Sequence, residues 1–559
     1  MSEKNNFTKK TMMKQIVLIL LSVGLIQTLS YSQKKNESVK NCILMVPDGT
    51  SASILNFTRW YNDNKPLSFD SLLCGFVRTH SLDDKITDSA PAATAMATSQ
   101  KSGSGFIGMS LDSVPLITVL ELAKIQGKAT GIVVSCEHPH ATPAAFTSHA
   151  AKRSNYETIN EQQVYNHLDV VFSGGGNDFL NNGKYSKKEK KNIKRKDEEN
   201  LRDTLIKSLN YNFISTTDKF NSLNEKSKVW ASFDTDTSFL LNHFDNLTLK
   251  KHPTLAEMTD KAIKILFQNK NGFFLLVEGS KIDWAAHMND PLGVISEFSG
   301  FEEAAKVALD FAVKDKNTAV IICPDHGTGG IAIGSKNTNK NYDDTKYASF
   351  TNPLKKVKHT PEYTSTTLKK MLQKNHSDTT KIRDILSIHL NLILSPAELK
   401  KIYAMNPADN GYEDNLYYEL ANLLNLRTGI GWTTYGHTGE DVFLAMYHPK
   451  NYILKGVIDN TDIAKYIARI LNLDDFKEST KKYFAPHTEV FQGLTISIHN
   501  IDTNPELIVS DGKKTLRAKS NKNYITLSDN ITTKKIELKT VIVFSKNTFY
   551  LPVNLRQVF

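Results

Sequence analysis

The chain of 559 residues is long enough for one large domain with additions, or for two to three domains. Its 40% apolar and 23% charged residues are typical of an ordinary soluble globular protein. The formal net charge is +10, part of which comes from lysines near the N-terminus. The remainder is only mildly basic, so no nucleic-acid partner is expected, although the charge would help to attract anionic substrates.

Residues 1–32 have the features of a secretory signal peptide. Lysines precede an apolar run from Ile16 to Leu29, and small residues, Ser30 and Ser32, come just before Gln33. An uncleaved membrane anchor is the alternative, but a run of about 14 residues is short for a membrane span. We therefore expect cleavage, no stable membrane anchor afterwards, and a periplasmic or secreted location.

Short apolar runs alternate with helical patterns through the first 323 residues. Strands are predicted at 41–46, 129–135, 168–173, 273–277 and 318–323, and helices at 89–99, 115–126, 254–269 and 292–314. Strands that are apolar along their whole length and separated by helices indicate an α/β fold. We expect a large, mostly parallel central sheet with helices on both faces.

Two regions depart from this alternation. Within a predicted main domain at 33–475, residues 334–429 look like a partly helical insertion. Residues 476–559 carry strand-like runs without candidate site residues and are predicted to form a β-rich C-terminal extension. The lysine-rich stretch 184–196 is predicted to be a solvated helix or loop.

The four cysteines are predicted to be free thiols. Cys42, Cys136 and Cys323 lie in or beside strand-like runs, where cysteine usually serves as a small core residue, and Cys74 is the fourth. Export would permit disulfides. The chain has no C-x-x-C pair, so a thiolate metal site is not expected.

Ser89 begins the predicted helix in the octet DSAPAATA at 88–95. A helix N-terminus binds phosphate through its backbone amides and favours a developing alkoxide. Such a serine alone is more often a simple helix cap. A nucleophilic serine also needs activation, and because no Ser-His-Asp pattern is apparent, metal coordination is the available alternative.

Candidate metal ligands occur in several short motifs. Asp283 and His287 in EGSKIDWAAH are spaced i, i+4, which places a carboxylate and an imidazole on one helical face. The remaining candidates lie at strand ends or in glycine-rich turns: Asp48, Thr142, Glu278, Asp325, His326 and His437. The nitrogen-containing sets suit Zn²⁺, whereas the oxygen-only set of Asp48, Thr142 and Glu278 suits Mg²⁺. Arg153 would hold the non-bridging oxygens of a phosphate.

In the order of these motifs, the chain resembles the metal-dependent alkaline phosphatases from about Cys42 to Leu473. The resemblance implies hydrolysis of phosphate monoesters through a phosphoserine on Ser89, with Arg153 holding phosphate. It also implies two zinc ions and one magnesium ion. The first zinc would be bound by Asp283, His287 and His437, the second by Asp48, Asp325 and His326, and the magnesium by Asp48, Thr142 and Glu278. Many members of the family are dimers, so a homodimer is expected by analogy.

Two positions vary within the family and border the magnesium and phosphate sites. His140 stands where some members have aspartate, and Trp284 stands where others have lysine or histidine. A histidine at this position could bind the third metal directly or through water, which leaves the identity of that metal open.

Two other kinds of enzyme in the same superfamily and one protein of another class are the alternatives. A sulfatase needs an arginine where Ala93 stands, so that alternative fails. Phosphodiesterases of the superfamily generally use threonine as nucleophile and lack the arginine, so Ser89 and Arg153 favour monoesters. A secreted binding protein with structural zinc would not need Ser89 or Arg153.

Overall fold

The structure is a computed structural model. It describes residues 37–175, 180, 182–186, 191–195, 197–225, 228–233, 240–374, 379–405, 415–529 and 531–559. The predicted signal peptide at 1–32 lies outside the described residues. Within those ranges, no helix is both long and apolar enough to cross a membrane.

A ten-stranded sheet forms the centre of the molecule. From one edge to the other its strands are Gly456–Asp459, Leu73–Arg78, Val442–Tyr447, Thr318–Ile322, Asn41–Val46, Phe273–Glu278, Ala129–Glu137, Val170–Gly174, Val229–Ser232 and Asn212–Ile214. Among these described strands, Val442–Tyr447 alone runs opposite to the others. The predicted α/β fold with a mostly parallel central sheet is therefore confirmed.

Helices cover both faces of the sheet, because its central strands are apolar on both sides. In Asn41–Val46, Ile43 and Met45 join the hydrophobic cluster on one face, and Cys42, Leu44 and Val46 join the cluster on the other. The longer helices of this layered body are Ala52–Tyr61, Ser89–Thr98, Val119–Ile125, Ala141–Thr147, Tyr156–Tyr165, His243–Leu249, Leu255–Leu266, Lys281–His287, Pro291–Asp315 and Thr461–Leu471. Burial of these two apolar layers holds the sheet in place between the helices, and with it the ends of the strands.

The strands and helices predicted within the first 323 residues are present in the structure, although some boundaries differ. The helix predicted at 115–126 starts only at Val119, because Thr118 and Glu121 form a capping box there. The strand Leu73–Arg78 was not predicted; it lies near one edge of the sheet, and Val77 is its one buried residue. The prediction for 184–196 was wrong, since Asn182–Ser186 and Lys191–Lys194 pair as antiparallel strands.

The region 334–429 contains several helices, in agreement with its helical patterns. They are Tyr347–Lys355, Pro361–Lys374, Thr379–Leu390, Pro396–Ala404 and Leu416–Thr428. Two of them contact the segment that carries Asp283 and His287. Glu362 accepts a hydrogen bond from Lys281 at 3.0 Å, and the Tyr417 hydroxyl donates to Asp290 at 3.0 Å.

The C-terminal region is β-rich, as predicted, and has a small hydrophobic cluster of its own. A five-stranded antiparallel sheet consists of Thr495–His499, Glu506–Ser510, Thr515–Lys519, Tyr524–Ser528 and Thr533–Glu537. A second sheet joins Ala485–Pro486, Thr548–Leu551 and Val543–Ser545. Two short helices, Phe476–Tyr483 and His487–Val490, connect these strands to the α/β body.

Lys522 joins this C-terminal region to the α/β body. Its buried ammonium group lies 2.6 Å from Glu161, on the helix Tyr156–Tyr165, and also contacts Glu199. Arg195 contacts Glu161 from the other side at 2.8 Å. The nearby carboxylates of Glu161 and Glu199 raise the pKa of Lys522 despite its burial, so the lysine is charged.

Lys522→Met should lower the free energy of unfolding by about 2 kcal/mol or more, because it removes the cation paired with Glu199 and leaves Glu161 with Arg195 alone. The change can be measured by denaturant unfolding. Lys519→Met, at an exposed position of the neighbouring strand, is the matched control and should change stability by less than about 0.5 kcal/mol. Equal stability of the two variants would show that the Lys522 contacts do not hold the regions together.

Candidate active site

The candidate site lies at the carboxyl ends of four adjacent parallel strands. Asp48 follows Asn41–Val46, Glu278 ends Phe273–Glu278, and Asp325 follows Thr318–Ile322. His140 follows the fourth of these strands, Ala129–Glu137. The carboxyl edge of an open α/β sheet is where ligands bind in such folds, because several strand ends open into one crevice.

The first metal-ligand group consists of Asp283, His287 and His437, whose ligand atoms all lie within 4.8 Å of one another. Asp283 Oδ2 is 3.4 Å from His287 Nε2, and the two histidine Nε2 atoms are 3.2 Å apart. His437 is distant in sequence, but Thr328 pairs with it across a short antiparallel ladder. The spacing within one helix and this ladder together bring the three side chains to one point.

Hydrogen bonds fix the orientation of both imidazoles. His287 Nδ1 bonds to the Tyr435 carbonyl, and His437 Nδ1 donates to the Thr87 carbonyl at 2.7 Å. Each Nδ1 therefore carries a proton, so that in its neutral form each imidazole would present the Nε2 lone pair towards the other ring and towards Asp283. Three such electron-pair donors facing one point fit a bound cation, and backbone carbonyls commonly orient histidine ligands in this way.

The second group consists of Asp48, Asp325 and His326, all fully buried. His326 Nε2 is 3.3 Å from Asp325 Oδ2 and 3.6 Å from Asp48 Oδ1. The same nitrogen lies 3.0 Å from Ser89 Oγ. The rings of His326 and His437 stack with centroids 3.8 Å apart, so the two groups adjoin.

The contact between Ser89 and His326 differs from a serine-hydrolase triad. In a triad, a carboxylate binds Nδ1 of the histidine and the serine binds Nε2. Here Nδ1 meets the Gly327 carbonyl and the Thr328 hydroxyl, both at 3.3 Å. The carboxylates instead face Nε2, together with Ser89, which is the arrangement of ligands around an ion.

The carboxylates of the site are crowded in a manner that requires compensating positive charge. Both oxygens of Asp48 are buried and accept no hydrogen bond from any described residue. Burial and the neighbouring carboxylates of Asp325, Asp283 and Glu278 raise the pKa of Asp48. Burial also raises the pKa of Glu278 to about 8. Oxygen and nitrogen donors of this kind match the preferences of zinc and magnesium.

Gly49 allows the loop after Asp48 to approach Asp283. Its φ is +66°, and a Cβ at this position would lie 2.6 Å from Asp283 Oδ1. Any other residue would therefore clash with a candidate ligand and would also strain the backbone.

A third group consists of Cys136, His140 and Glu278, again with ligand atoms within 4.8 Å of one another. Thr142, two residues after His140 in the chain, is fully buried. Cys136 was predicted to be a free buried thiol, and all four cysteines are free in the structure. Its position beside a candidate ligand was not predicted.

Arg153 lies at the edge of the site and is held by two neighbours. It forms an ion pair with Asp88, the residue before Ser89, and its Nη2 is 3.2 Å from His140 Nε2. The rings of His140 and Trp284 meet edge to face with centroids 5.6 Å apart. The two variable positions noted in the sequence are therefore in contact with each other.

Comparisons with known proteins agree with this fold. A family model described as alkaline phosphatase matches residues 39–473. Alkaline phosphatase 3 of Bacillus subtilis (strain 168) is 35% identical over 480 residues, covering 82% of this chain and 95% of that protein. The crystal structure of the cold-active alkaline phosphatase from the psychrophile Shewanella sp. is 30% identical with a TM-score of 0.65, covering 77% of this chain and 99% of that one.

A more distant solved structure shares the fold. It is a mutant of TAB5 alkaline phosphatase with Mg bound in its M3 site, 23% identical, with a TM-score of 0.55, covering 78% of this chain and 99% of that one. The matched range, 39–473, agrees with the resemblance found from Cys42 to Leu473. The chain therefore belongs to the alkaline phosphatase family, whose members are metal-dependent phosphomonoesterases.

Proposed function

We propose that the protein hydrolyses phosphate monoesters to an alcohol and inorganic phosphate through a phosphoserine on Ser89. The observation that carries this proposal is the position of Ser89 Oγ, which lies 3.0 Å from His326 Nε2 at the start of the helix Ser89–Thr98. The hydroxyl is thus adjacent to the second candidate metal group, which adjoins the first through the stacked rings of His326 and His437. The helix N-terminus favours negative charge there.

The proposed reaction has two displacements at phosphorus. Ser89 Oγ loses its proton and forms a bond to phosphorus, while the bond from phosphorus to the alcohol oxygen breaks and the alcohol leaves after gaining a proton. Water then attacks the phosphoserine, releases inorganic phosphate and returns the proton to Ser89. Holding the reacting oxygens in line with phosphorus is the main contribution of such a site.

The residues described above suit three metal ions. Asp283, His287 and His437 would hold one zinc ion, and Asp48, Asp325 and His326 would hold a second. Magnesium would use the oxygens of Asp48, Thr142 and Glu278. When bound, the ions supply positive charge that stabilises the attacking and leaving oxygens of the displacement.

Arg153 is proposed to bind the two non-bridging oxygens of a monoester phosphate that are not used by the metals. Its present partner, Asp88, holds the guanidinium next to Ser89. A diester has an additional carbon substituent on one of these oxygens, so the arginine favours monoesters. His140 and Trp284 border this phosphate position.

Arg153→Ala should lower kcat/KM for an aryl phosphate monoester by about 10- to 100-fold, because a charge-assisted, bidentate contact is lost. The same change should weaken inhibition by inorganic phosphate, and hydrolysis of an aryl diester should change much less. Steady-state kinetics on both substrates would measure this difference. Arg427→Ala, which removes an Arg–Glu pair in the helical region 334–429, is the control. An equal loss on monoester and diester would contradict the proposed role of Arg153.

The cellular setting remains a prediction from the sequence. We propose that residues 1–32 direct export to the periplasm or the exterior and that the mature enzyme acts on small phosphate monoesters of broad variety. A homodimer is expected by analogy with the family, and the mass of the purified protein in solution would test it.

Comparing purified protein on aryl monoester, diester and sulfate tests the proposed substrate class. Each assay is run before chelation, after chelation, and after zinc and magnesium are added back. The proposal predicts that monoester turnover dominates, disappears on chelation and returns with the metals. Diester turnover equal to or above monoester turnover would favour a phosphodiesterase of the same superfamily.

A further inference from the structure

Cys136 ends the apolar part of the strand Ala129–Glu137 and points its thiol at the proposed third metal position. Its Sγ is 3.7 Å from Glu278 Oε2. The sulfur, a carboxylate oxygen of Glu278 and a ring nitrogen of His140 all lie within 4.8 Å of one another. The other carboxylate oxygen, Glu278 Oε1, is buried and accepts no hydrogen bond from a described residue.

The separation of these atoms matches tetrahedral coordination. Zinc bonds are about 2.3 Å to thiolate and about 2.1 Å to a carboxylate oxygen, so the two ligand atoms are separated by about 3.6 Å. The observed 3.7 Å between Cys136 Sγ and Glu278 Oε2 is close to this value. The two side chains would therefore need little rearrangement to bind one ion.

We infer that Cys136 is a metal ligand, and that the third site binds a thiophilic divalent ion such as zinc or cobalt as well as magnesium. The inference rests on the proposed metal centre and adds a ligand to it. Magnesium takes oxygen ligands and leaves the thiol protonated, whereas zinc or cobalt displaces the thiol proton and binds sulfur.

Glu278 belongs to both ligand sets, the oxygen set with Asp48 and Thr142 and the thiolate set with Cys136 and His140. The two sets share Glu278 at one position, so we expect the two kinds of ion to compete for a single site. Without metal ligation, the Cys136 thiol would serve only as a weak hydrogen-bond donor to Glu278, and no competition would involve sulfur.

Cobalt distinguishes these two roles, because a thiolate bound to Co²⁺ gives an intense charge-transfer band in the near ultraviolet. The full-length mature protein is stripped by chelation, loaded with Co²⁺ without magnesium, and compared with Cys136→Ser and Cys74→Ser. Cys74 is partly exposed on a strand near the sheet edge and is the matched control. We expect the band in the wild type and in Cys74→Ser, its loss in Cys136→Ser, and its decrease when magnesium is added.

X-ray absorption of the zinc-loaded wild type gives a second readout that does not depend on a variant. It should show one sulfur at about 2.3 Å among the zinc neighbours. A wild type without the band and without a zinc–sulfur distance would overturn the inference, as would a band that survives in Cys136→Ser. Monoesterase activity and the phosphoserine on Ser89 are measured separately. Failure of the cobalt test would therefore leave the proposed function intact, and failure of the activity test would leave the assignment of Cys136 as a ligand intact.

Discussion

Replacing Ser89 by alanine is expected to lower kcat/KM for an aryl phosphate monoester by at least about a thousandfold. The variant loses the only protein atom that is proposed to form a bond to phosphorus, while the metal ligands and Arg153 stay in place. Metal content and inhibition by inorganic phosphate should therefore be nearly unchanged. Steady-state kinetics and metal analysis of the purified variant provide these measurements.

Ser104→Ala is a suitable control for this substitution. Ser104 is an exposed serine in the same part of the chain, where it contacts Asp83 rather than the site. Its replacement should leave kinetics within about twofold of the wild type. Turnover by Ser89→Ala at the level of this control would contradict the nucleophile assignment.

Removing the metals should sharply lower both activity and stability. Ions that bind only the folded state stabilise it by about 4 kcal/mol per site when they are present at a thousandfold excess over Kd. Chelation removes this contribution and leaves buried carboxylates, including Asp48, Asp325 and Glu278, without cations. Thermal unfolding before and after chelation, with zinc and magnesium added back, measures the loss.

The sign of the effect of Asp48→Asn should depend on the metals. Burial and nearby carboxylates raise the pKa of Asp48, which means that its ionised form destabilises the folded state at pH 8. In the chelated protein, Asp48→Asn should therefore raise the free energy of unfolding by about 1 kcal/mol or more. In the metal-loaded protein the same change removes a ligand and should lower stability and activity.

Asp112→Asn, at an exposed position, is the control and should behave alike with and without metals. The crossover is the diagnostic result, because a purely structural role for Asp48 would change stability in the same direction in both states. Destabilisation by Asp48→Asn in the chelated protein would contradict the claim that bound metal ions offset the repulsion between the buried carboxylates.

The central sheet could be predicted because its strands are buried on both faces. Asn41–Val46 and Phe273–Glu278 are continuous apolar runs that end directly at candidate ligands. The strand Leu73–Arg78 lacks such a run, since several of its side chains are exposed. The paired strands Asn182–Ser186 and Lys191–Lys194 have polar sequences without a hydrophobic period, so the sequence carried no signal for strands there.

The metal groups were partly predictable for a similar reason. The spacing of Asp283 and His287 on one helix is a local property that the sequence contains. The position of Cys136 depends instead on which strands are neighbours and in which register they pair. Val134 pairs with Glu278 on the neighbouring parallel strand. Cys136 follows Val134 by two residues, which brings it past the end of the strand that carries Glu278. Neither the neighbour nor the register follows from the apolar run alone.

The docking of the C-terminal region depends in the same way on tertiary structure. Its β-rich character follows from the sequence, but the contact of Lys522 with Glu161 joins positions that are far apart in the chain. A lysine in a basic, polar segment is usually solvated, and nothing local distinguishes Lys522 from exposed lysines such as Lys519.

The most direct measurement of the central claim is the covalent state of Ser89 during turnover. Enzyme mixed with an aryl phosphate is quenched in acid, in which phosphoserine is stable, and its peptides are analysed by mass spectrometry. The account predicts that the peptide containing Ser89 gains the mass of one phosphoryl group, and that the gain is absent in Ser89→Ala. An unmodified Ser89 in an enzyme that is turning over, or a phosphoryl group on another residue, would contradict the account.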